Sequence, residues 1–156
     1  MLKILFVCTG NTCRSSMAEI LAKKMIADRG WQDRLSVSSA GIAALDGMPA
    51  SPLAAAVMSR RGLDLTGHKS RMAVAPLLAE ADLILTMTEG HKTALAGQVS
   101  AGKLFTLGEY SGEPGDIADP IDGSPEIYQQ CADQLERLVT RALEKVLKEK
   151  DDWGKS

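Results

Sequence analysis

The sequence predicts an α/β fold: a single three-layer domain, residues 1–156, with a four-stranded parallel sheet and helices on both faces. Two observations predict it. Short apolar runs alternate along the chain with longer stretches of helical periodicity, the pattern of strand–helix–strand units. A small polar loop, Cys8 to Ser15, falls where the first apolar run gives way to the first helical stretch. The length of 156 residues suits one domain and suffices to bury roughly two thirds of the unfolded surface.

The apolar runs place strands near 2–7, 35–39, 82–87 and 103–107. Helical patterns fill the gaps at about 15–29, 51–61, 70–80 and 89–97. The last helix has the clearest signal. Ser124 is a good N-cap, Pro125 suits the first helical position, and Glu126 favours the positive helix end. Ile127, Cys131, Leu135, Leu138, Ala142 and Val146 then recur at helical spacing, which lays one face on the core. In sheets of this kind ligands bind beyond the carboxyl ends of the strands, where the first strand delivers Cys8.

Composition narrows the functional classes. Hydrophobic residues make up 45% and charged residues 24%, ordinary for a globular chain. A net charge of −2 gives no electrostatic case for nucleic acid or a membrane as partner. No stretch approaches the length that spans a bilayer. The chain opens into a short strand without the apolar region of a signal peptide, and its three cysteines are an odd number. The expected compartment is therefore the reducing cytoplasm. There is no internal repeat, low-complexity tract or interdomain linker.

Residues 7–15 read Val-Cys-Thr-Gly-Asn-Thr-Cys-Arg-Ser, with five residues between Cys8 and Arg14. A loop between strand and helix can point successive backbone N–H groups at an oxyanion, and the helix adds its positive end. Thr9, Gly10, Asn11, Thr12, Cys13, Arg14 and Ser15 are thus the candidate phosphate-binding residues. Arg14 can grip two phosphate oxygens through its planar fork. The same field favours the charged form of Cys8, the nucleophilic one. Phosphate grip and activated sulfur together specify displacement at phosphorus by sulfur. A cysteine ending a first strand is often a small buried hydrophobe. Here its spacing to Arg14 coincides with Gly10, Asn11, Ser15 and the strand-to-helix switch, which favours the catalytic reading.

A thiolate attacking a phosphoryl group needs an acid for the departing atom and later a base for water. Residues 108–123 hold the candidates Glu109, Glu113, Asp116, Asp119 and Asp122 in a long stretch rich in Gly and Pro. Pro120 fixes the chain after Asp119 and biases it to an extended conformation. Most loop carboxylates are solvated charges, so composition alone leaves the acid open.

Cys8-Thr-Gly-Asn-Thr-Cys-Arg-Ser15, Met17-Ala-Glu19, Ser39-Ala-Gly41, His68-Lys-Ser-Arg71 and Asp119-Pro120 together resemble the low-molecular-weight protein tyrosine phosphatase family. The match runs from residue 3 to about 140 with the motifs in order. The resemblance implies Cys8 as nucleophile, Arg14 as phosphate clamp and Asp119 as general acid, later base. It implies that Asn11, Ser15, Ser39 and His68 support the loop, with Ser15 also supporting the thiolate. It implies a reversible Cys8–Cys13 disulfide as redox protection. No metal or cofactor is expected. The expected partners are phosphorylated proteins, with inorganic phosphate as product and the chain a monomer. His91 matches nothing that needs chemistry and is expected in solvent. Cys131 is expected as a packed thiol. Residues around Asp46, Met48 and Pro49 are candidates for one wall of the site.

Thr12 stands where many tyrosine-directed members carry a larger aliphatic residue, and Ile121-Asp122 where they carry aromatics. A phenol pocket without an aromatic wall forgoes stacking worth about 0.5–1.5 kcal/mol. Phosphoarginine instead presents a planar fork of N–H donors and a P–N bond that breaks on protonation. Asp119 can orient that fork and supply the proton, with Asp122 as a second acceptor. The loop, with Phe105-Thr-Leu-x-Glu-Tyr110, resembles the bacterial protein-arginine phosphatase branch, from which Ser16 and Ile121 depart. Phosphoarginine is the expected substrate and phosphotyrosine the alternative. A thioredoxin-coupled arsenate reductase has a similar loop but needs two further cysteines after the third strand. Residues 86–93 contain none. A phosphate or phosphopeptide binder would gain little from a reactive thiol.

Overall fold

β1 (Leu2–Cys8) is the inner spine of the sheet, since its apolar residues can be buried on both faces. Ile4, Phe6 and Cys8 join one core and Leu5 and Val7 another, following the two-residue alternation of a strand. The structure is a computed structural model that describes residues 1–153; residues 154–156 of the expected domain lie outside the described residues. β2 (Leu35–Gly41), β3 (Leu83–Thr86) and β4 (Leu104–Thr106) complete a parallel four-stranded sheet in the order β2-β1-β3-β4.

That order puts a topological switch at β1. The chain leaves β1 through α1 (Arg14–Arg29) to β2 on one side, then crosses to β3 on the other. The crevice beyond the carboxyl end of β1 is where such sheets hold ligands. α1, α2 (Pro52–Arg60) and α6 (Pro125–Trp153) pack over one face with Ile4, Phe6 and Leu85. α3 (Ala75–Glu80) and α4 (Glu89–Leu95) cover the other through Leu78 and Leu95. None of the helices is long and apolar enough to cross a membrane, among the described residues.

Local chemistry explains the boundaries. Ser51 caps α2 by accepting from Ala54 N–H at 3.2 Å, with Pro52 at the first helical position. The Ser124 hydroxyl accepts from Ile127 N–H at 3.4 Å at the start of α6. The helix predicted over 70–80 is shorter, because residues 70–73 give their backbone groups to other segments. Ser70 N–H donates to Met48 O, and Gly41 pairs with Arg71 O and Ala73 N–H. Within the stretch expected to be loop, Leu107–Tyr110 forms a short helix, α5, behind a capping box of Thr106 and Glu109. Ile127 departs from the expected stripe: it is 44% exposed in the first turn of α6, while Cys131, Leu135, Leu138, Ala142 and Val146 are buried.

Candidate active site

The loop after β1 is held open by its surroundings. Its carbonyls are engaged from outside: Ile42 N–H donates to Cys8 O, Ala43 N–H to Thr9 O, and Ser51 N–H to Thr12 O. With those carbonyls occupied, the N–H groups of the loop are available to its concave side. Gly41 sits against the loop, where an added Cβ would come 2.4 Å from Thr9 O. Only glycine lets β2 approach so closely.

Asn11 organises the interior. It is fully buried with φ 59°, a left-handed conformation that its short polar side chain tolerates. Its Nδ2 donates to Ser15 Oγ at 2.8 Å and Ser39 Oγ at 2.9 Å, and its Oδ1 accepts from Arg71 N–H at 3.0 Å. His68 Nε2 lies 2.6 Å from the Asn11 carbonyl, which can only accept, so Nε2 carries the proton. Ser39 Oγ donates to Glu19 Oε1 at 2.6 Å. The direction of the network follows. Glu19 only accepts, so Ser39 gives it its proton and takes one from Asn11. Ser15 also accepts from Asn11, and of the two acceptors in reach of its own proton Cys8 Sγ at 2.8 Å is nearer than Ala40 O at 3.5 Å. Asn11 N–H adds a second donor to that sulfur at 3.3 Å. The sulfur thus faces two donors, the arrangement that stabilises a thiolate.

Arg14 is 5% exposed. Its Nη1 donates to Ile117 O at 2.9 Å and its Nη2 lies 3.4 Å from Asp119 Oδ2. Ile117, itself fully buried, donates its N–H to Met87 O at the end of β3. The loop carrying Asp119 is therefore pinned to sheet and guanidinium together. Asp116 Oδ1 accepts from Glu89 N–H at 2.8 Å, and Glu113 takes Arg137 and Arg141 of α6. Asp119 is exposed, and its Oδ1 accepts from Ile121 N–H at 3.0 Å across Pro120.

Cys8, Thr9, Gly10, Thr12, Cys13 and Arg14 line a cavity of about 160 Å³ that Asp119 and Ile121 close from the other side. Asn11 and Ser15 lie beneath it, and Ser39 and His68 further back. Asp122, with φ 61°, is exposed and does not line the cavity. Neither Asp46 nor Met48 lines it: Asp46 Oδ1 accepts from Met72 N–H, and Met48 is exposed. Cys13 Sγ lies 3.5 Å from Tyr128 OH on α6, whose hydroxyl lies 3.4 Å from Ser51 Oγ. Burial pushes the Tyr128 hydroxyl up to about 12. Cys131 is buried as expected, and burial pushes its thiol up to about 12. All three cysteines are free thiols.

His91 corrects the sequence reading. It is not in solvent but 5% exposed, with Nε2 2.8 Å from Thr9 Oγ1. The turn after β3 puts it there: Thr88 caps α4, accepting from His91 N–H, and the helix delivers the ring beside the phosphate loop. Burial lowers its pKa, Arg14 lowers it further, and Asp116 and Asp119 act the other way. The one local sign is Leu95, buried one turn on along the same face of α4, while the partner Thr9 is too far away in sequence to be read. Glu19 and Arg71 stand in the motifs Met17-Ala-Glu19 and His68-Lys-Ser-Arg71, but the motifs alone assign them no role, and Tyr128, on α6, carries no local signal.

Comparison with known proteins agrees with this geometry. A family profile described as "Low molecular weight phosphotyrosine protein phosphatase" matches residues 3–152. A protein-arginine-phosphatase of Bacillus subtilis is 43% identical over 148 residues, 93% of this chain and 96% of the relative. A low molecular weight protein-tyrosine-phosphatase of Staphylococcus haemolyticus is 40% identical over 139 residues, 88% of this chain and 95% of the relative. Among solved structures, a cysteine-to-serine mutant of the YwlE arginine phosphatase with a phosphorylated active site serine superposes with a TM-score of 0.85. It shares 43% identity, over 94% of this chain and 96% of that one. Cradle, sheet order and sequence therefore lead to one assignment: the chain belongs to the low molecular weight phosphotyrosine protein phosphatase family of phosphoprotein phosphatases.

Proposed function

We propose that this chain removes phosphate from phosphoarginine in proteins by a two-step hydrolysis through a cysteinyl phosphate. Cys8 attacks phosphorus in line, forming the S–P bond, while Arg14 and the loop N–H groups hold the equatorial oxygens. The P–N bond breaks as Asp119 gives its proton to the leaving nitrogen. Asp119 then takes a proton from water, which attacks phosphorus, and the S–P bond breaks to release inorganic phosphate. Thr9, Gly10, Asn11, Thr12, Cys13 and Ser15 form or brace the cradle. A phosphorylated serine in the active site of the related arginine phosphatase supports a covalent phosphoryl intermediate at this position.

The observation that carries the arginine reading is the cavity wall. Among the described residues no aromatic side chain lines it; Thr12 and Ile121 stand there with Asp119. A guanidinium leaving group needs an acceptor and proton donor more than a stacking surface, and Asp119 supplies both. Phosphotyrosine is the second reading, favoured by the 40% identical relative that is named a tyrosine phosphatase. Asp122 is an added acceptor only if its exposed loop turns toward substrate. We further propose that the enzyme works in the reducing cytoplasm as a monomer, without metal or cofactor. Under oxidation Cys8 and Cys13 pair in a reversible disulfide that protects the nucleophile.

The test is kcat/KM on phosphoarginine and phosphotyrosine peptides side by side, with Cys8→Ser as the inactive blank. Preference for phosphoarginine, reduced by Thr12→Ile, supports the assignment; preference for phosphotyrosine overturns it. Asp119→Asn lowers kcat on the order of 10²–10⁴-fold if Asp119 is the acid. An unchanged rate would assign that role to another carboxylate.

A further inference from the structure

Thr9 follows the nucleophile directly and lines the cavity. It is fixed twice, its carbonyl by Ala43 N–H at 3.0 Å and its Oγ1 by His91 Nε2 at 2.8 Å. His91 is buried, and its other ring nitrogen, Nδ1, has no hydrogen-bond partner among the described residues. That asymmetry selects a tautomer. A proton on Nδ1 would be a buried donor with nothing to accept it, which folded proteins rarely tolerate, whereas an unpaired acceptor is more common. The proton therefore belongs on Nε2, and His91 donates to Thr9 Oγ1. A threonine hydroxyl that accepts from one side keeps its own proton for an acceptor elsewhere.

We propose that His91 is a positioning residue that acts through Thr9. As a neutral Nε2–H donor it sets the Thr9 rotamer and leaves the Thr9 O–H to donate to a phosphoryl oxygen in the cradle. The placement accounts for burying an imidazole with one nitrogen unpaired, where an aliphatic side chain would pack at no polar cost. It also gives the cradle a side-chain donor beside its backbone N–H groups and the guanidinium of Arg14. The inference rests on the phosphatase reading but is independent of which phosphorylated side chain is cleaved.

The experiment uses inorganic phosphate as the probe, through its inhibition constant and direct titration, alongside kcat and KM. Thr9→Val and His91→Leu each weaken phosphate binding and lower kcat/KM about tenfold, the scale of one hydrogen bond to a charged group. Thr9→Val/His91→Leu together lose no more than either alone, since one hydrogen bond is removed twice. His91→Gln, which returns an N–H near the position of Nε2, recovers most of the phosphate affinity. Losses that multiply in the double variant overturn the proposal, as does wild-type phosphate affinity in Thr9→Val, which leaves the imidazole in place should His91→Leu fold poorly. A wild-type protein that neither turns over phosphopeptides nor binds phosphate would instead refute the phosphatase reading itself.

Discussion

Replacing Asn11 by alanine tests whether one amide both shapes the loop backbone and polarises Cys8 Sγ through Ser15. The change removes three buried hydrogen bonds, to Ser15 Oγ, Ser39 Oγ and Arg71 N–H. Each contributes about 1 kcal/mol net, so their loss costs about 3 kcal/mol. Alanine must also hold φ near 59°, which adds about 1–2 kcal/mol of strain. The sum, about 4–5 kcal/mol, corresponds to a fall in Tm of about 8–20 °C for a chain of this size. Asn11→Gly loses the same amide without the backbone strain and should recover about 1 kcal/mol or more of that cost. Chemical denaturation followed by circular dichroism reads both variants, and phosphatase assays below their transitions read the sulfur. Without the amide, nothing directs the Ser15 proton toward Cys8, so both variants lose kcat alike although they differ in stability. An alanine variant within about 1 kcal/mol of wild type, or a glycine variant less stable than the alanine one, would show that the amide does not hold the loop.

Gly41→Ala brings a Cβ to 2.4 Å from Thr9 O and 3.0 Å from Asn11 N, against backbone that cannot rotate away. Stability should fall by about 1–3 kcal/mol, and kcat/KM by about 10²-fold through the displaced loop; wild-type turnover would show that the loop tolerates the shift. His91 is held below its ordinary value of 6.5, first by burial and then by Arg14, so its contribution to stability is complete above pH 6.5 and is lost as pH falls through its lowered folded value. The Tm difference between wild type and His91→Gln should therefore shift against wild type between pH 8 and pH 5, and a constant difference would count against a buried neutral ring. Burial pushes the Cys131 thiol up to about 12, so iodoacetamide at pH 8 should alkylate Cys8 in the native protein and leave Cys131 unmodified until it unfolds; mass spectrometry that finds equal labelling would contradict that packing.

The sheet and the loop were legible because their signals are local. The run Leu2–Cys8 and the loop after it lie in one short stretch, and the resemblance of spaced motifs placed Ser39, His68 and Asp119 in relation to them. Boundaries failed where long-range pairing overrides local preference. Residues 70–73 read as helix but serve as an extended brace, because Gly41 and Met48 claim their backbone groups. His91 failed for a related reason. Glu89, Gly90, Thr93 and Ala94 along α4 are exposed, and Leu95, one turn on and buried on the same face, is a single weak sign that the ring is buried. Only the parallel pairing of β1 with β3 carries the start of α4 to the carboxyl end of β1, where Thr9 waits. Ile127 shows the limit of periodicity: it shares the spacing of the buried stripe but falls in the first turn of α6, beyond the edge of the core.

Arg14 connects binding to chemistry. A buried guanidinium must be paired, and here its partners are the carbonyl of Ile117 and the carboxylate of Asp119, two residues apart on one loop. The group that would grip the phosphoryl oxygens is thus also the group that positions the acid. Ile117 stays anchored through Met87 and Arg14 Nη1, while the longer contact of Nη2 with Asp119 is the one a phosphate would compete for. A phosphoryl group drawing Nη2 to itself would release the carboxylate without moving the loop, leaving Asp119 beside the leaving atom. The guanidinium leaving group proposed above would then meet a carboxylate able both to orient and to protonate it. It asks nothing of an aromatic wall, and Ile121, the one apolar side chain that closes the cavity beside Asp119, does not provide one.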